Sequence, residues 1–366
     1  MPKKYLPNKI LLIATRQIGD VLLVTPLLSS LRRAYPDAII DVLVYEHKGG
    51  MLEGNPDYNT FIEVAEHPNF KQYYTLFTQI FRRYDLAIST LAGDRPLIYA
   101  LLAASQRLAL VPPKRWQDMW KRLVVQAWTE LDNQNTHTVI QNLRLADLLG
   151  ITRCYELIIP QSSDSIEKLD KLLPFAWQKQ TFAVLHLLPM WHYKRWTLTG
   201  WRQLIHYLTQ TGLHIVITGG GSQAEAAYIR KVLASMPDTV INLAGQLGFG
   251  DVAKLIQASV IYIGPDTAVT HLAAATGTPT VALYGPTNPL KWAPWPCKYA
   301  DNNTPFKPKG TQQVGNVLLV RGVGACVPCH QEGCDRHKQS SSRCLEELES
   351  VTLINAVVQR IRGLNG

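Results

Sequence analysis

The chain has 366 residues, 46% of them hydrophobic, which suits two ordinary globular domains and excludes intrinsic disorder. Its formal net charge of +9 points to an anionic partner (nucleic acid, an acidic membrane face or a phosphorylated glycan) or to a solvated basic surface. No apolar run reaches the ~18 residues of a membrane span, the basic start Met1 to Pro7 leads into no signal-type segment, and no nucleic-acid-binding module is found, so a cytoplasmic protein with no nucleic-acid partner is expected.

Apolar runs predict strands near 10–14, 39–44, 61–64, 86–89 and 107–110. Between and after them, amphipathic stretches predict helices near 20–34, 70–83, 95–104, 116–128 and 136–149. Asp132 to Thr136 reads as a loop and cap before the last of these, and Gly150 as the glycine that ends it. Pro160 to Ser165 reads as an interdomain linker. The second half repeats the logic, with strands near 182–186, 214–218, 240–242, 260–263 and 280–284. Its helices are predicted near 199–210, 223–234, 249–257 and 267–276, and a last one at about 345–362. Such alternation predicts parallel sheets with right-handed crossovers.

Two strand-to-helix turns carry polar residues. After the first strand come Thr15-Arg16-Gln17-Ile18-Gly19-Asp20; Gly19 permits a tight turn and Asp20 falls in the first helical turn, where a carboxylate is favoured. There Asp20 serves either as a cap or as a carboxylate at the mouth of a cleft, outside the carboxyl end of a strand. The run Val260 to Ile263 leads into Gly264-Pro265-Asp266-Thr267-Ala268-Val269-Thr270-His271 and then a small-residue helix. A helix start exposes free N–H groups that favour a diphosphate, with Asp266, Thr267 and His271 beside it. The plain alternative is an Asp-Thr cap with a packed histidine one turn later.

These segments resemble glycosyltransferase family 9, the bacterial ADP-heptose:lipopolysaccharide heptosyltransferases. The resemblance rests on Ile18-Gly19-Asp20-Val21-Leu22-Leu23-Val24-Thr25-Pro26-Leu27-Leu28, on Tyr35-Pro36-Asp37-Ala38 through Asn55-Pro56, on Gly264 to Gly285, and more weakly on Lys194-Arg195-Trp196. It spans nearly the whole chain and is nearer in style to the enzymes that add a branching third heptose than to the first-heptose enzyme. It implies an α/β chain of GT-B fold, two doubly wound parallel-sheet domains facing a central cleft. Residues 1–162 would form the acceptor-binding domain with the base, 163–344 the nucleotide-sugar domain with a cysteine-rich insert, and 345–366 a C-terminal helix. The implied reaction is inverting transfer of heptose from ADP-heptose to the inner core of lipopolysaccharide, without a catalytic metal. The implied location is the cytoplasmic face of the inner membrane, as a peripheral protein.

The resemblance also implies roles for single residues. Asp20 matches the family's general base; at a helix N-terminus it stays ionised, which makes it a weak base suited to a hydroxyl proton that leaves late. Lys194 matches the lysine that contacts the donor diphosphate, with Arg195 assisting; a solvated loop cation is the ordinary reading. The loop before it, Leu187-Leu188-Pro189-Met190-Trp191, departs from relatives that carry hydroxyl residues there. Thr267 and Ala268 at the helix start complete the anion site. The run Gly219-Gly220-Gly221 admits ribose or adenine but lacks the G-x-G-x-x-G spacing, which discounts NAD. Glu225 is placed by analogy on ribose hydroxyls and Leu247 against adenine, where an exposed helix Glu and a core Leu are the ordinary readings. His271 matches a donor-contacting histidine, or is a packed core residue. On the acceptor side, cations including Arg82, Arg83, Arg95, Lys114, Arg115, Lys121 and Arg122 suit phosphates and acidic sugars. Trp116 and Trp120, four apart, share a helix face for core packing, or else for glycan or membrane contact.

Of six cysteines, Cys154 and Cys297 stand alone, while Cys326, Cys329, Cys334 and Cys344 cluster with His330 and His337 between them. In a cytosolic chain such a cluster favours a metal over disulfides, although its spacing is not that of a zinc ribbon. A structural zinc or iron site and free buried thiols are the two readings; a catalytic role is not expected. Two further classes stay open: a non-catalytic GT-B protein that binds a nucleotide sugar, against which Asp20 speaks, and an enzyme that heptosylates protein instead of lipid. The cysteine cluster keeps the latter open, since protein-heptosylating relatives use cysteine-bound metal.

Overall fold

The computed structural model describes residues 6–234 and 236–363, so the basic start Met1 to Tyr5 and the last residues of the expected C-terminal helix, 364–366, lie outside the described residues. The chain divides into two compact units. One runs to Pro160 and includes Ala300–Thr304; the other comprises Gln161–Tyr299 and Pro305 onward. The division lies two residues before the expected 162/163 point, a short later segment belongs to the first unit, and the C-terminal helix belongs to the second.

The first unit starts with β1 (Lys9–Ile13), α1 (Ile18–Leu22), α2 (Thr25–Ala34), β2 (Ile39–Tyr45) and β3 (Thr60–Val64). It continues with α3 (Phe70–Ile80), β4 (Tyr84–Ser89), α4 (Asp94–Ala103), β5 (Ala104–Val111), α5 (Met119–Leu123), β6 (Ala127–Glu130) and α6 (Thr138–Leu148). The strands form one parallel sheet in the order β3-β2-β1-β4-β5-β6. Ile10 to Ile13 are all fully buried, as expected of a strand covered on both faces. Leu11 and Ile13 share a core with Leu76 and Ile80 of α3 and with Tyr99, Ala100 and Ala103 of α4. Leu97 of α4 packs with Ala109, Val111 and Val125, and Trp120 of α5 leans on that group. Helices α3, α4 and α5 therefore cover one face of the sheet.

The second unit runs α7 (Ser165–Leu172), β7 (Phe182–His186), α8 (Leu198–Gln210), β8 (His214–Thr218), α9 (Gln223–Leu233) and β9 (Val240–Asn242). Next come α10 (Phe249–Ala258), β10 (Ile261–Pro265), α11 (Ala268–Thr276), β11 (Thr280–Tyr284) and α12 (Pro289–Trp292). The unit ends with β12 (Gln312–Val314), β13 (Val317–Arg321), α13 (Arg343–Glu346) and α14 (Ser350–Arg362). Its sheet has the order β12-β13-β11-β10-β7-β8-β9, parallel except for the antiparallel edge strand β12. Ala183 and Leu185 of β7, Ile215 and Ile217 of β8, and Ile261 and Ile263 of β10 make a core with Trp201 and Leu204 of α8, all buried. Burying each large aliphatic contributes about 1.5–3 kcal/mol.

Local chemistry sets the helix ends. Thr197, Ser222 and Thr267 accept from the backbone N–H three residues on, at 3.0, 3.2 and 3.3 Å, and start α8, α9 and α11. Gly277, at φ 85°, closes α11 in a left-handed turn that other residues adopt only under strain.

Four expectations differ from the structure. The single helix at 20–34 is two helices, α1 and α2, because Pro26 in the first turn of α2 lacks the N–H that a continuous ladder needs. The helix at 116–128 shrinks to a 3₁₀ turn at Trp116–Asp118 and the short α5, after which the chain leaves to pair β6 with β5; the β-branched pair Val124-Val125 suits that exit. The linker at 160–165 ends in α7, and the edge hairpin β12–β13 was not expected. The last helix starts at Ser350 rather than 345, after an extended Glu349 breaks it from α13.

Candidate active site

Each sheet contains a switch point, where one strand's crossover runs to one side and a later strand returns to the other. In the first unit it lies between β1 and β4, and in the second between β7 and β10. Loops that follow such strands diverge and leave a crevice at the carboxyl edge of the sheet. Asp20 follows β1, Lys194 follows β7 and Asp266 follows β10, so the topology alone brings Lys194 and Asp266 to one place.

In the first unit the turn is made ahead of the helix. Arg16 N–H donates to the Ala14 carbonyl at 2.8 Å, and Gln17, with φ −68° and ψ 157°, is the extended residue that precedes α1. Gly19 lies inside α1 and outside the left-handed region, so it does not bend the chain as expected. Asp20 is the third residue of this five-residue helix, and its N–H donates to Gln17 O at 2.9 Å. The nearby cation is a side chain: Arg16 Nη1 lies 3.3 Å from Asp20 Oδ1. Both line a small pocket with Ala14, Val24, Thr90, Thr138 and Asn142. The last three were not anticipated. Thr90 Oγ1 donates to Ile13 O at 2.9 Å and Asn142 Nδ2 to Leu23 O at 3.0 Å, which fixes the pocket wall.

The second unit is denser in charge. Lys194 closes a 3₁₀ turn at His192–Lys194, and its Nζ sits 2.7 Å from Asp266 Oδ2. Thr287 Oγ1 donates to the same oxygen at 2.6 Å. Burial of Asp266 opposes its ionisation, but the Lys194 ammonium and these hydrogen bonds outweigh it and hold the carboxyl below the usual carboxylate range. Asp266 is therefore the counter-ion of Lys194 rather than a cap; Thr267 caps α11, and Ala268 is its half-buried first residue. His271, one turn in, is buried, and its Nδ1 has no hydrogen-bond partner among the described residues. Burial first, with the Lys194 charge assisting against the pull of Asp266, pushes the imidazole down to about 4, so it is neutral at physiological pH. Gly264 is needed behind the site, because a Cβ there would overlap the Tyr262 hydroxyl, which bonds Thr270 at 2.9 Å.

Lys194 and its neighbour Arg195 serve different partners. Arg195 lies within electrostatic reach of Glu225 and Tyr228. Glu225 folds its carboxylate back on the glycine run: it accepts from the Gly220 N–H, and a Cβ on Gly219 would come within 2.7 Å of its Oε1. The small residues at 219–220 thus make room for Glu225 itself. Burial raises the Glu225 carboxyl despite the Gly220 N–H and the Arg195 charge. Leu247 is half-buried in the loop between β9 and α10.

Arg321 was missed. It ends β13 beside Tyr284 of β11, is buried, and donates to the carbonyls of Gly285 at 3.1 Å and Thr287 at 3.4 Å. It thereby fixes the loop that carries Thr287. The signal for it was an apolar run, Val317 to Val320, that ends on an arginine before Gly322.

Of the clustered cysteines, Cys326 and Cys334 are exposed, Cys329 is half-buried and Cys344 is buried. Burial, and then the charges of the other three, push the Cys344 thiol up to about 11. Thiolates of this number suit zinc or iron, yet among the described residues no three ligating side chains converge closely enough to hold an ion. The segment has a clear mechanical role. Ser342 Oγ donates to Tyr193 O at 2.6 Å, the His192 N–H to Lys338 O at 3.1 Å, and the His330 N–H to Pro286 O at 2.9 Å. It thus braces the loops of both Lys194 and Thr287.

Among the first-unit cations expected to meet an acceptor, Lys121 is held by Asp94 and Asp118 at 2.8 and 2.7 Å, and Arg122 by Glu130 at 2.9 Å. Trp120 packs on the core while Trp116 is almost wholly exposed, so the two do not share a buried face.

The sequence profile of glycosyltransferase family 9 (heptosyltransferase) matches residues 113–317, more than half of the chain. Lipopolysaccharide heptosyltransferase 3 of Escherichia coli K12 is 30% identical over 290 residues, covering 76% of this chain and 83% of that protein. A family 9 glycosyl transferase from Veillonella parvula superposes with a TM-score of 0.77 at 18% identity over 99% of both chains. The E. coli heptosyltransferase WaaC, solved with ADP, superposes with a TM-score of 0.70 at 18% identity, covering 96% of this chain and 99% of that one. These likenesses show the expected GT-B fold of two largely parallel sheets.

The state of His271 gives a pH prediction. Native imidazole stays neutral down to about 4, whereas the unfolded chain takes a proton near 6.5. The unfolded state binds more protons between those values, so native stability falls as pH drops through that window and is unaffected above it. Urea unfolding of the parent and His271→Gln should show the parent losing up to about 3 kcal/mol relative to the variant from pH 6.5 to 4. Parallel pH profiles would refute the neutral buried imidazole.

Proposed function

Because the chain belongs to glycosyltransferase family 9, the heptosyltransferases, we propose that it transfers a heptose from ADP-heptose to a hydroxyl of the lipopolysaccharide inner core, with inversion and without a catalytic metal. The observation that carries the reading is the Lys194–Asp266 pair at the start of α11, beside the neutral His271. The likeness to lipopolysaccharide heptosyltransferase 3 supports the acceptor, and the likeness to the heptosyltransferase solved with ADP supports the donor. The acceptor is proposed to lie at the cytoplasmic face of the inner membrane.

In this reading Asp20 accepts the proton of the acceptor hydroxyl. The hydroxyl oxygen forms the new bond to the anomeric carbon while the bond from that carbon to the β-phosphate oxygen breaks. Attack on the face opposite the leaving group inverts the centre, and ADP departs with the bonding pair. Lys194 and the free N–H groups at Thr267 and Ala268 meet the charge that develops on the diphosphate. Asp266 and Thr287 aim the ammonium, so little reorganisation is needed when the donor arrives. Neutral His271 keeps a ring nitrogen for a donor hydrogen bond without adding a charge. Arg195 and Glu225 stand on the nucleotide side, Glu225 toward ribose hydroxyls, with Leu247 apolar against the base.

For the cysteine segment the proposal is a structural zinc or iron on Cys326, Cys329, Cys334 and Cys344. Its support is four thiols in one short stretch, with Cys344 in electrostatic reach of the other three. Binding would require the side chains to turn inward. Elemental analysis of the purified protein should find about one metal per chain; metal-free protein of full activity leaves only the thiol reading.

Isothermal titration with ADP tests the donor site. Lys194→Ala should weaken binding by about 1.5–3 kcal/mol, the range for a charge-assisted hydrogen bond. Equal affinities would remove Lys194 from the site.

Asp20→Asn keeps size and hydrogen-bonding capacity but cannot take a proton. It should leave folding and ADP affinity intact while turnover falls by roughly 10²–10⁴-fold. Turnover at the parent's rate would assign the base to another group.

A further inference from the structure

We propose that the rim of the first unit's sheet that carries Asp20 is a docking surface for an anionic lipid bilayer, an inference that rests on the proposed lipid-linked acceptor. All strands of that sheet are parallel, so the segments that follow β1, β3 and β5 emerge on one edge. Asp20 follows β1, the start of α3 follows β3, and Lys114 to Trp116 follow β5. On that edge Phe70, Tyr74 and Trp116 are 88%, 63% and 93% exposed. Phe70 and Tyr74 lie four apart on α3 and project from the same side of the helix. Trp116 belongs to a 3₁₀ turn that buries none of its residues. Large aromatics with a polar tip or edge are the side chains that settle at a bilayer interface.

The charge around them is one-sided. In the two stretches that carry them, 67–74 and 112–118, the chain has Lys71, Lys114 and Arg115 against one carboxylate, Asp118. That carboxylate is spoken for, because Asp118 holds Lys121 at 2.7 Å. Lys71, Lys114 and Arg115 are exposed beside the aromatics and, among the described residues, form no ion pair. Aromatic insertion and attraction to acidic headgroups are the two signals that stable peripheral binding needs together. The charge decides the occupant. A second copy docked by a two-fold axis would set these cations against themselves, whereas an acidic leaflet neutralises them. Among the described residues no helix is long and apolar enough to cross the bilayer, so the contact is one of surface. It holds Asp20 on the side from which a lipid-anchored sugar presents its hydroxyl.

Sedimentation of the full chain with vesicles tests this. The parent should bind phosphatidylcholine vesicles containing one third phosphatidylglycerol, ignore vesicles of phosphatidylcholine alone, and be released by salt. Lys114→Glu with Arg115→Glu should weaken binding by roughly 25-fold or more, at about fivefold per charge. Phe70→Ala with Trp116→Ala should weaken it by at least roughly tenfold. Phe70→Ala with Tyr74→Ala should also bind vesicles less, yet turn over a water-soluble, lipid-free acceptor at the parent's rate. Equal binding to neutral and acidic vesicles, no binding, indifference to these substitutions, or a parent dimer that the aromatic variant dissociates in sedimentation velocity would each overturn the proposal. Acidic-vesicle binding with no turnover of the lipid-free acceptor would uphold the docking surface and count against the catalytic reading alone.

Discussion

The loops at the carboxyl edge of the second unit's sheet are organised around one ion pair. Lys194 and Asp266 are 72 residues apart in sequence, yet their charged atoms meet at 2.7 Å inside the second unit. Exposed pairs contribute about 0–1 kcal/mol, but removing one member of a buried pair costs about 3–5 kcal/mol, because the other charge is stranded. That penalty makes the pair a constraint on everything nearby. Thr287 must hold the carboxylate, Arg321 must hold the Thr287 loop, and the cap at Thr267 must turn the chain directly after Asp266. A cation held so firmly beside a helix start is placed to meet a second anion without moving far.

The two units use the same topological device with different chemistry. Each puts its polar residues where the strand order reverses, at β1/β4 and β7/β10. The first places a single carboxylate with one arginine in a small, mostly uncharged pocket. The second concentrates a lysine, a carboxylate, a neutral histidine and a buried arginine. In the proposed reaction, the contrast suits a hydroxyl to be deprotonated by the one unit and a multiply charged leaving group met by the other.

Much of this was legible in the residues. Strands covered on both faces read as unbroken apolar runs, which is why β1, β7 and β11 were placed within a residue of their bounds. Segments whose state is set by a partner were not: the chain from 116 to 130 has enough apolar residues for a helix, and only the vacant edge of β5 makes its end a strand. The hairpin β12–β13 likewise depends on the edge of β11. Within the site, motif residues announced themselves, but their partners did not. Spacing cannot reveal that Asp266 answers Lys194, that Gly219 and Gly220 make way for the Glu225 carboxylate, or that Asn142 walls the Asp20 pocket, since each depends on where folding turns a side chain. Gly19 shows the opposite error, a glycine given a conformational duty its ordinary helical backbone does not perform.

The cysteine-bearing segment touches the loop of Lys194 at Tyr193 and His192 and the loop of Thr287 at Pro286. Together with the 3₁₀ turn of the one loop and the Arg321 contacts of the other, one continuous stretch of chain thus supports both the cation and its hydroxyl-bearing partner from behind. Changes in that stretch would reach two sides of the charge centre together, and in correlated fashion. The geometry of the charge centre and the sequence of the segment are thus not independent traits: drift in a residue that never touches the ion pair must be matched on the loops it supports, and grafting those loops into a relative without the segment would transplant the residues but not their spacing.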